Sequence, residues 1–146
     1  MSQLSVHSPI GELTISEEEG KIVSLDWGWS PFQQENEILL KCKFLLDQYF
    51  DDENPKFDLP LNPHGTEFQK KVWALIHKIP YGEILTYGEI ADKIKSHPRA
   101  VGMACGKNPI PIIIPCHRVM GKNGKLTGFS GGEGIKTKNY LLNLER

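Results

Sequence analysis

Apolar and polar residues alternate over three short stretches within the first 27 residues of the chain. The stretches are QLSVH at 3–7, GELTISE at 11–17 and KIVSLDW at 21–27, and turn sequences containing Pro, Gly and Glu separate them. A period of two is typical of strands that bury one face. We therefore predict a three-stranded antiparallel meander at the N-terminal end.

Apolar side chains recur at helical spacing between residues 32 and 50, which predicts an amphipathic helix. They are Leu39, Cys42, Leu46, Tyr49 and Phe50. The next segment, DDENPKFDLPLNPHG at 51–65, contains three prolines and is rich in Asp and Asn, so we interpret it as a linker. Within this linker we place the boundary between an N-terminal α+β domain, residues 1–60, and a C-terminal domain, residues 61–146.

The second half of the chain predicts a series of short helices. TEFQKKVWALIHKIP at 66–80 has an apolar face and ends at a proline. Thr86 and Glu89 form a capping-box pattern at the start of TYGEIADKIK. Pro98 suits the first turn of a further helix that Gly106 ends. Two short helices joined by a tight turn indicate a helix-turn-helix, which is compatible with DNA binding but does not require it.

Three further segments complete the prediction of a mostly helical C-terminal domain. NPIPIIIP at 108–115 should be extended and buried, because its prolines remove the backbone donors that a central strand needs. KNGK at 122–125 predicts a tight turn, and IKTKNYLLNLER at 135–146 predicts a closing helix. The fold class is therefore α+β.

The distribution of charge changes this picture. The formal net charge of -1 gives no sign of a nucleic-acid partner. Residues 1–63, however, hold 12 acidic and 4 basic residues, whereas residues 64–146 hold 6 acidic and 13 basic ones. A basic half can bind phosphates, and uneven surface charge without function is the alternative. No leader or long apolar stretch is found, so we expect an intracellular protein with no membrane partner.

One of the three cysteines lies in an unusual setting. Their odd number and the absence of a C-x-x-C pair predict reduced thiols and no zinc site. In PCHRV, Cys116 precedes His117 and Arg118, which are poor core residues. A thiol attacks as the thiolate, which a nearby cation, base or helix terminus favours. Pairing of Cys116 with His117 would require a turn or helix start here, and an inert core cysteine is the alternative.

Several motifs surround PCHRV in a recognisable order. They are GTEFQKKVW, IPYGEILTYGEIA, RAVGMACGKNPIPIIIPCHRV, TGFSGG and the closing YLLNLE. From Gly65 to Glu145 the chain thereby resembles the O6-alkylguanine-DNA alkyltransferases, also called methylated-DNA–protein-cysteine methyltransferases. The resemblance implies a monomeric DNA repair protein that flips O6-alkylguanine out of double-stranded DNA and transfers the alkyl group irreversibly to its own cysteine. It also implies a ribonuclease-H-like N-terminal domain and a winged-helix-like C-terminal domain, with no cofactor and no metal.

The resemblance assigns catalytic roles to five residues. Cys116 would be the acceptor thiolate, His117 the base that takes its proton through a bound water, and Glu145 the residue that orients His117. Asn108 would hold the active-site turn together, and the hydroxyl of Tyr87 would hydrogen-bond or protonate guanine N3. We expect the pair of His117 and Glu145 to keep Cys116 ionised near neutral pH.

The resemblance also implies contacts with the flipped base. The backbone carbonyls of Cys116 and Val119 would accept hydrogen bonds from the guanine amine, and the N–H of Ser130 would donate to O6. Phe129 stands where many members carry a tyrosine at the wall of the alkyl pocket, so an aromatic face is kept but a hydroxyl is lost. The segment after Gly132 is longer than usual, which indicates an altered pocket loop.

Contacts with DNA are implied for the second helix of the helix-turn-helix. Arg99 would be a finger that enters the base stack where the nucleotide is flipped out. Pro98, Ala100, Gly102 and Ala104 are small and would let this helix lie close in the minor groove, whereas most helix-turn-helix proteins use the major groove. Close packing between helices is the alternative for these small residues.

Two other functions fit parts of the sequence. A lesion-binding module, like the alkyltransferase-like proteins that carry tryptophan at the acceptor position, is disfavoured by Cys116. A cysteine hydrolase using Cys116 and His117 would need an oxyanion hole and would leave the helix-turn-helix unexplained. Taken singly, Tyr87 could be a packing aromatic, Glu145 a solvated helix end, and Arg99 a partner of a nearby carboxylate.

Overall fold

The computed structural model describes residues 1–126, 129 and 131–146. The chain forms two compact units, Met1–His64 and Gly65–Arg146. Among the described residues, none of the helices has both the length and the apolar character that crossing a membrane requires.

The first unit contains the predicted antiparallel sheet. Its strands are β1 (Ser2–Val6), β2 (Leu13–Glu18) and β3 (Lys21–Trp27), in the order β1-β2-β3. Leu4 pairs with Ile15 and Ile15 pairs with Leu25, so three buried apolar side chains form one row across the sheet. The predicted meander is confirmed.

Helix α1 (Glu37–Phe50) packs on this sheet, and it begins later than the apolar spacing predicted. The spacing predicted a start at residue 32, but the side chain of Asn36 caps the helix by accepting a hydrogen bond from the backbone N–H of Leu39 at 3.0 Å. Farther on, residues 60–62 run beside β3, because Ile22 donates to Pro60 O at 2.9 Å and accepts from Asn62 N at 2.8 Å.

The second unit is mostly helical, as predicted. Its elements in chain order are α2 (Glu67–His77), β4 (Leu85–Thr86), α3 (Tyr87–Lys93), α4 (Pro98–Gly106), β5 (Val119–Met120) and α5 (Ile135–Leu144). The predicted capping box of Thr86 and Glu89 is present at the start of α3. Trp73 in α2 is fully buried and donates to the carbonyl of Ala104 at 2.9 Å, which ties α2 to α4.

The segment between α4 and β5 is buried, but the prediction that it is extended was wrong. Ile114 N donates to Ile110 O at 2.9 Å, so the chain folds back in a turn, with Ile112 at a φ of 74°. Asn108 stabilises this turn, because its Oδ1 accepts from Ile110 N at 2.9 Å. The turn leads into a 3-10 turn, Cys116–Arg118, and then into β5, which pairs in parallel with β4 next to Tyr87.

Candidate active site

Cys116 begins the 3-10 turn. A turn or helix start is the setting that pairing of Cys116 with His117 would require. Its side chain is only 3% exposed. The side-chain amide of Asn108 donates to Cys116 Sγ at 3.1 Å and to the carbonyl of Ile114 at 2.8 Å. Asn108 therefore contacts both the sulfur and the backbone turn that carries it, as expected of a residue that holds this turn.

His117 and Glu145 form the pair that the family resemblance implied. His117 is completely buried, and its Nε2 lies 2.5 Å from Glu145 Oε2. Glu145 is the residue that directly follows α5, and it too is buried. The alternative that Glu145 is a solvated helix end is therefore wrong.

Arg118 adds a cation to this pair. Its Nε donates to Glu145 Oε1 at 2.7 Å and its Nη2 to Oε2 at 3.0 Å, which is the bidentate geometry of a strong ion pair. Its Nη1 donates to the carbonyl of Ile79 at 2.7 Å. The carboxylate of Glu145 thus orients His117 and is itself held by Arg118.

The segment before β4 also fixes Glu145. Tyr81 Oη donates to the carbonyl of Leu144 at 3.1 Å, and the N–H of Gly82 donates to Glu145 Oε1 at 3.3 Å. Gly82 has a φ of 80°, and a Cβ there would lie 3.2 Å from the backbone oxygen of Glu145. A glycine is therefore required where this backbone approaches the end of α5.

The pKa shifts of Cys116 and His117 disfavour an ionised Cys116 beside a protonated His117. Burial, followed by a hydrogen bond with the thiol of Cys105, raises the pKa of Cys116 well above its usual value, while Asn108 and Lys138 act in the opposite direction. Burial lowers the pKa of His117 despite the opposing effect of Glu145. These directions favour a thiol at Cys116 and a neutral imidazole at His117 in the DNA-free protein, against the expectation of an ionised Cys116.

Lys138 is a site residue that the sequence reasoning missed. It is completely buried, and its Nζ donates to the carbonyl of Val119 at 2.6 Å and to Tyr87 Oη at 3.4 Å. Burial lowers its pKa. The signal was present, because Lys138 shares the inner face of the closing helix with Leu141 and Leu142, and a lysine on a buried face is rare unless it is paired.

The predicted base-contact residues lie around this cluster. Tyr87 is buried at the first position of α3. The carbonyl of Val119 accepts from Lys138, and the carbonyl of Cys116 accepts from the N–H of Val119. Phe129 is half-buried, and Ser130 lies outside the described residues.

Helix α4 separates the predicted DNA-contact residues onto two faces. Pro98 and Arg99 are exposed, and Ala100 and Gly102 are half-buried. A Cβ on Gly102 would meet no atom of the described residues within 4 Å, so packing against them does not explain this glycine. Ala104 is instead buried, so its small side chain packs within the second unit, and its predicted part in DNA binding stays a prediction.

Comparisons with known proteins cover both units of the chain. The 6-O-methylguanine DNA methyltransferase DNA binding domain matches residues 67–146, and the ribonuclease-like domain of the same methyltransferase matches residues 4–63. The constitutive methylated-DNA–protein-cysteine methyltransferase of Bacillus subtilis is 43% identical, over 97% of this chain and 93% of its own length. The methylated-DNA–protein-cysteine methyltransferase of Methanosarcina acetivorans is 46% identical over 94% of each chain.

A solved structure is similar over nearly the whole chain. The crystal structure of Mycobacterium tuberculosis OGT in complex with DNA superposes with a TM-score of 0.88 at 42% identity. The similarity covers 99% of this chain and 92% of that one.

Proposed function

Because the chain belongs to the O6-alkylguanine-DNA alkyltransferase family, we propose that Cys116 is the cysteine that accepts the alkyl group. The protein is a DNA repair methyltransferase that acts by transfer to a cysteine of its own. One observation carries the assignment to Cys116: its sulfur accepts from Asn108 at 3.1 Å in the same turn that presents His117 to Glu145. Burial alone shifts the pKa of Cys42, raising it to about 12, whereas Asn108 and Lys138 oppose the effect of burial at Cys116.

In the proposed reaction, Cys116 Sγ attacks the alkyl carbon on guanine O6, a carbon–sulfur bond forms and the carbon–oxygen bond breaks. The thiol proton passes to His117, whose positive charge Glu145 then balances. The leaving guanine is neutralised by a proton at N3, which Tyr87 donates. The product is a thioether with no easy route back to a thiolate, so each molecule acts once.

Substrate binding has to promote ionisation of Cys116, since burial favours the thiol in the DNA-free protein. Lys138 supports this step, because its positive charge lowers the pKa of Cys116. Lys138 also donates to Tyr87 Oη, so it stabilises the phenolate that forms when Tyr87 gives up its proton. We assign Lys138 as a positioning residue for both groups.

We further propose that α4 binds double-stranded DNA in the minor groove and that Arg99 fills the gap left by the flipped base. A glycine costs a helix about 1 kcal/mol relative to alanine, and none of the described residues approaches Gly102 closely enough to require it. A partner that approaches this face of α4 closely would explain why Gly102 has no side chain. The DNA complex of the Mycobacterium tuberculosis relative supports DNA as that partner. We expect a monomer that acts inside the cell.

Intact-mass analysis after incubation with duplex DNA containing O6-methylguanine tests the assignment. We expect one methyl group per molecule, located at Cys116 by peptide mapping, and no gain for Cys116→Ala. Cys42→Ser is a matched control that should accept a methyl group normally. Methylation of Cys42 or Cys105 would refute the assignment, and absence of transfer with intact lesion binding would indicate a lesion-binding module.

A further inference from the structure

Helix α4 carries an exposed methionine on its outward face. Met103 is 68% exposed, which makes it the most exposed of the large apolar side chains that the structure describes in the second unit. Three other residues form the buried face of the helix, so Met103 is not part of the core. They are Val101, Ala104 and Cys105. A single exposed apolar residue is common on a protein surface, and what distinguishes Met103 is the set of residues around it.

Met103 and Arg99 lie on the same exposed face of α4. They are four positions apart in the helix, so their side chains are neighbours on its surface, and both are exposed. Long side chains in a helix lean toward its N-terminal end, which directs Met103 toward the turn that carries Arg99. Met103 is therefore the apolar neighbour of the side chain that we propose to enter the base stack.

The other outward positions of α4 carry little or no side chain. Gly102 and Gly106 lie beside Met103, and a Cβ on either would meet no atom of the described residues within 4 Å. Ala100 lies on the opposite side of Met103 and Arg99. Glycines cost a helix stability, but their bare backbone lets another molecule approach α4 until Met103 and Arg99 make contact.

The charges near this face are complementary to duplex DNA. Lys93 at the end of α3 and Lys107 directly after α4 are both exposed, and residues 64–146 hold 13 basic against 6 acidic residues. Lysines bind phosphates, whereas an apolar side chain in the groove meets deoxyribose carbons and base edges. Proteins that bind the minor groove frequently insert an apolar side chain, methionine among them, between two base steps and so partly unstack them.

We propose that Met103 is such an apolar wedge: it packs in the minor groove beside the gap that Arg99 fills and stabilises the unstacked duplex from which the modified nucleotide is flipped. The inference rests on the proposed binding of DNA by α4. Arg99 supplies a charge and a planar group, whereas Met103 supplies apolar surface that is removed from water when the groove closes on it. Its flexible thioether adapts to different base pairs, so the wedge acts in any flanking sequence.

The test measures single-turnover alkyl transfer from three substrates: saturating duplex DNA containing O6-methylguanine, the same lesion in single-stranded DNA, and free O6-benzylguanine. Met103→Gln keeps the length of the side chain but makes it polar. It should slow transfer from the duplex by about tenfold, because the burial of the apolar side chain is lost. Transfer from the single strand and from the free base should change little, since neither has a duplex stack to open.

Two further variants serve as controls. Met103→Leu restores an apolar side chain and should recover most of the rate on duplex DNA. Leu40→Gln makes the same apolar-to-polar change at an exposed position of α1 in the first unit, and its rate should equal that of the wild type. Thermal unfolding of each variant checks that the fold is kept, which the exposure of Met103 leads us to expect.

Unstacking is measured separately, with 2-aminopurine placed beside the lesion and Cys116→Ala as the background so that no transfer occurs. The fluorescence of 2-aminopurine rises when its neighbours unstack. Binding should raise this fluorescence, and adding Met103→Gln should reduce the rise at saturating protein.

Two outcomes would overturn the inference. One is a saturating duplex rate for Met103→Gln equal to that of the wild type, with or without weaker binding, which would make Met103 at most a surface contact. The other is equal slowing with all three substrates, which would mean that Met103 supports the folded site. The fluorescence does not depend on alkyl transfer. Unstacking that requires Met103, in a chain that accepts no methyl group, would therefore refute the proposed function and leave this inference standing.

Discussion

At the scale of single residues, Lys138 links the two groups whose protonation changes during the proposed reaction. It is completely buried, it donates to Tyr87 Oη, and its charge lowers the pKa of Cys116. Its own pKa is lowered by burial, which Cys105 and Cys116 partly offset when they are thiolates. A cation buried at this point favours the Cys116 thiolate and the Tyr87 phenolate, the ionised states through which the proposed alkyl transfer passes.

Replacing Lys138 by methionine should therefore shift the reactivity of Cys116 to higher pH. The lysine lowers the pKa of the thiol, so its loss raises that pKa further, and a smaller fraction is thiolate at any pH below it. The measurement is the rate of methyl transfer as a function of pH. Lys136→Met, on the exposed face of the same helix, is the control and should leave the profile unchanged. An identical profile for both variants would exclude the electrostatic role of Lys138.

The pair of Glu145 and Arg118 makes a second prediction. Glu145→Gln removes the carboxylate that neutralises the buried guanidinium, which should destabilise the second unit by about 3–5 kcal/mol. Adding Arg118→Met should recover part of this loss, because no charge is then left unpaired. Denaturant unfolding of the single and double variants measures both effects. A double variant less stable than Glu145→Gln would contradict the argument.

The sequence predicted some of these residues and not others, for a physical reason. Cys116, His117 and Asn108 lie close along the chain, so a local turn is enough to bring them together. Lys138 and Arg118 gain their partners only when α5 packs beside the 3-10 turn, and no local pattern specifies that contact. The protonation states also depend on burial, which the motif PCHRV does not report.

At the scale of elements, the helix starts follow capping residues more closely than they follow apolar spacing. Asn36 and Thr86 define where α1 and α3 begin, and only the second was recognised from the sequence. The turn after α4 was missed, because its prolines indicate equally an extended segment or a fold-back. Asn108 decides between them by hydrogen-bonding within the turn.

Gly102 allows a prediction that separates stability from binding. Gly102→Ala should stabilise α4 by up to about 1 kcal/mol, since the new Cβ meets no atom within 4 Å in the part of the chain that the structure describes. The same methyl group should weaken binding to duplex DNA, because it projects from the face proposed to enter the minor groove. Thermal unfolding and DNA titration measure the two effects. Unchanged binding would show that α4 does not approach DNA through this face. The control is the rate of reaction with free O6-benzylguanine, which involves no duplex.

Arg99 allows a related prediction about base flipping. Arg99 is exposed in the first turn of α4, and among the described side chains no ion pair joins it to a carboxylate. Arg99→Ala should slow alkyl transfer from saturating duplex DNA, because an inserted side chain replaces lost stacking, yet leave reaction with free O6-benzylguanine nearly unchanged. Equal losses with both substrates would mean that Arg99 supports the folded site instead.

At the scale of the whole molecule, the two units divide the charge between them. The acidic unit contains the sheet and α1, and the basic unit contains the candidate active site and the helix-turn-helix. Lys93 ends α3 and Lys107 follows α4, and both are exposed beside the proposed DNA-binding helix. Binding to phosphates is independent of sequence and weakens with salt, because bound counterions are released from the duplex.

Replacing Lys93 and Lys107 by alanine in the full chain should therefore weaken duplex binding to a similar degree for every sequence. Each phosphate contact that is lost should reduce the slope of log affinity against log salt by about 0.9. The matched control is Lys41→Ala with Lys43→Ala, two exposed lysines on α1 of the acidic unit, which removes the same net charge. If both double variants reduce the slope equally, net charge and not a localised contact surface governs binding, and the assignment of DNA binding to the basic unit fails.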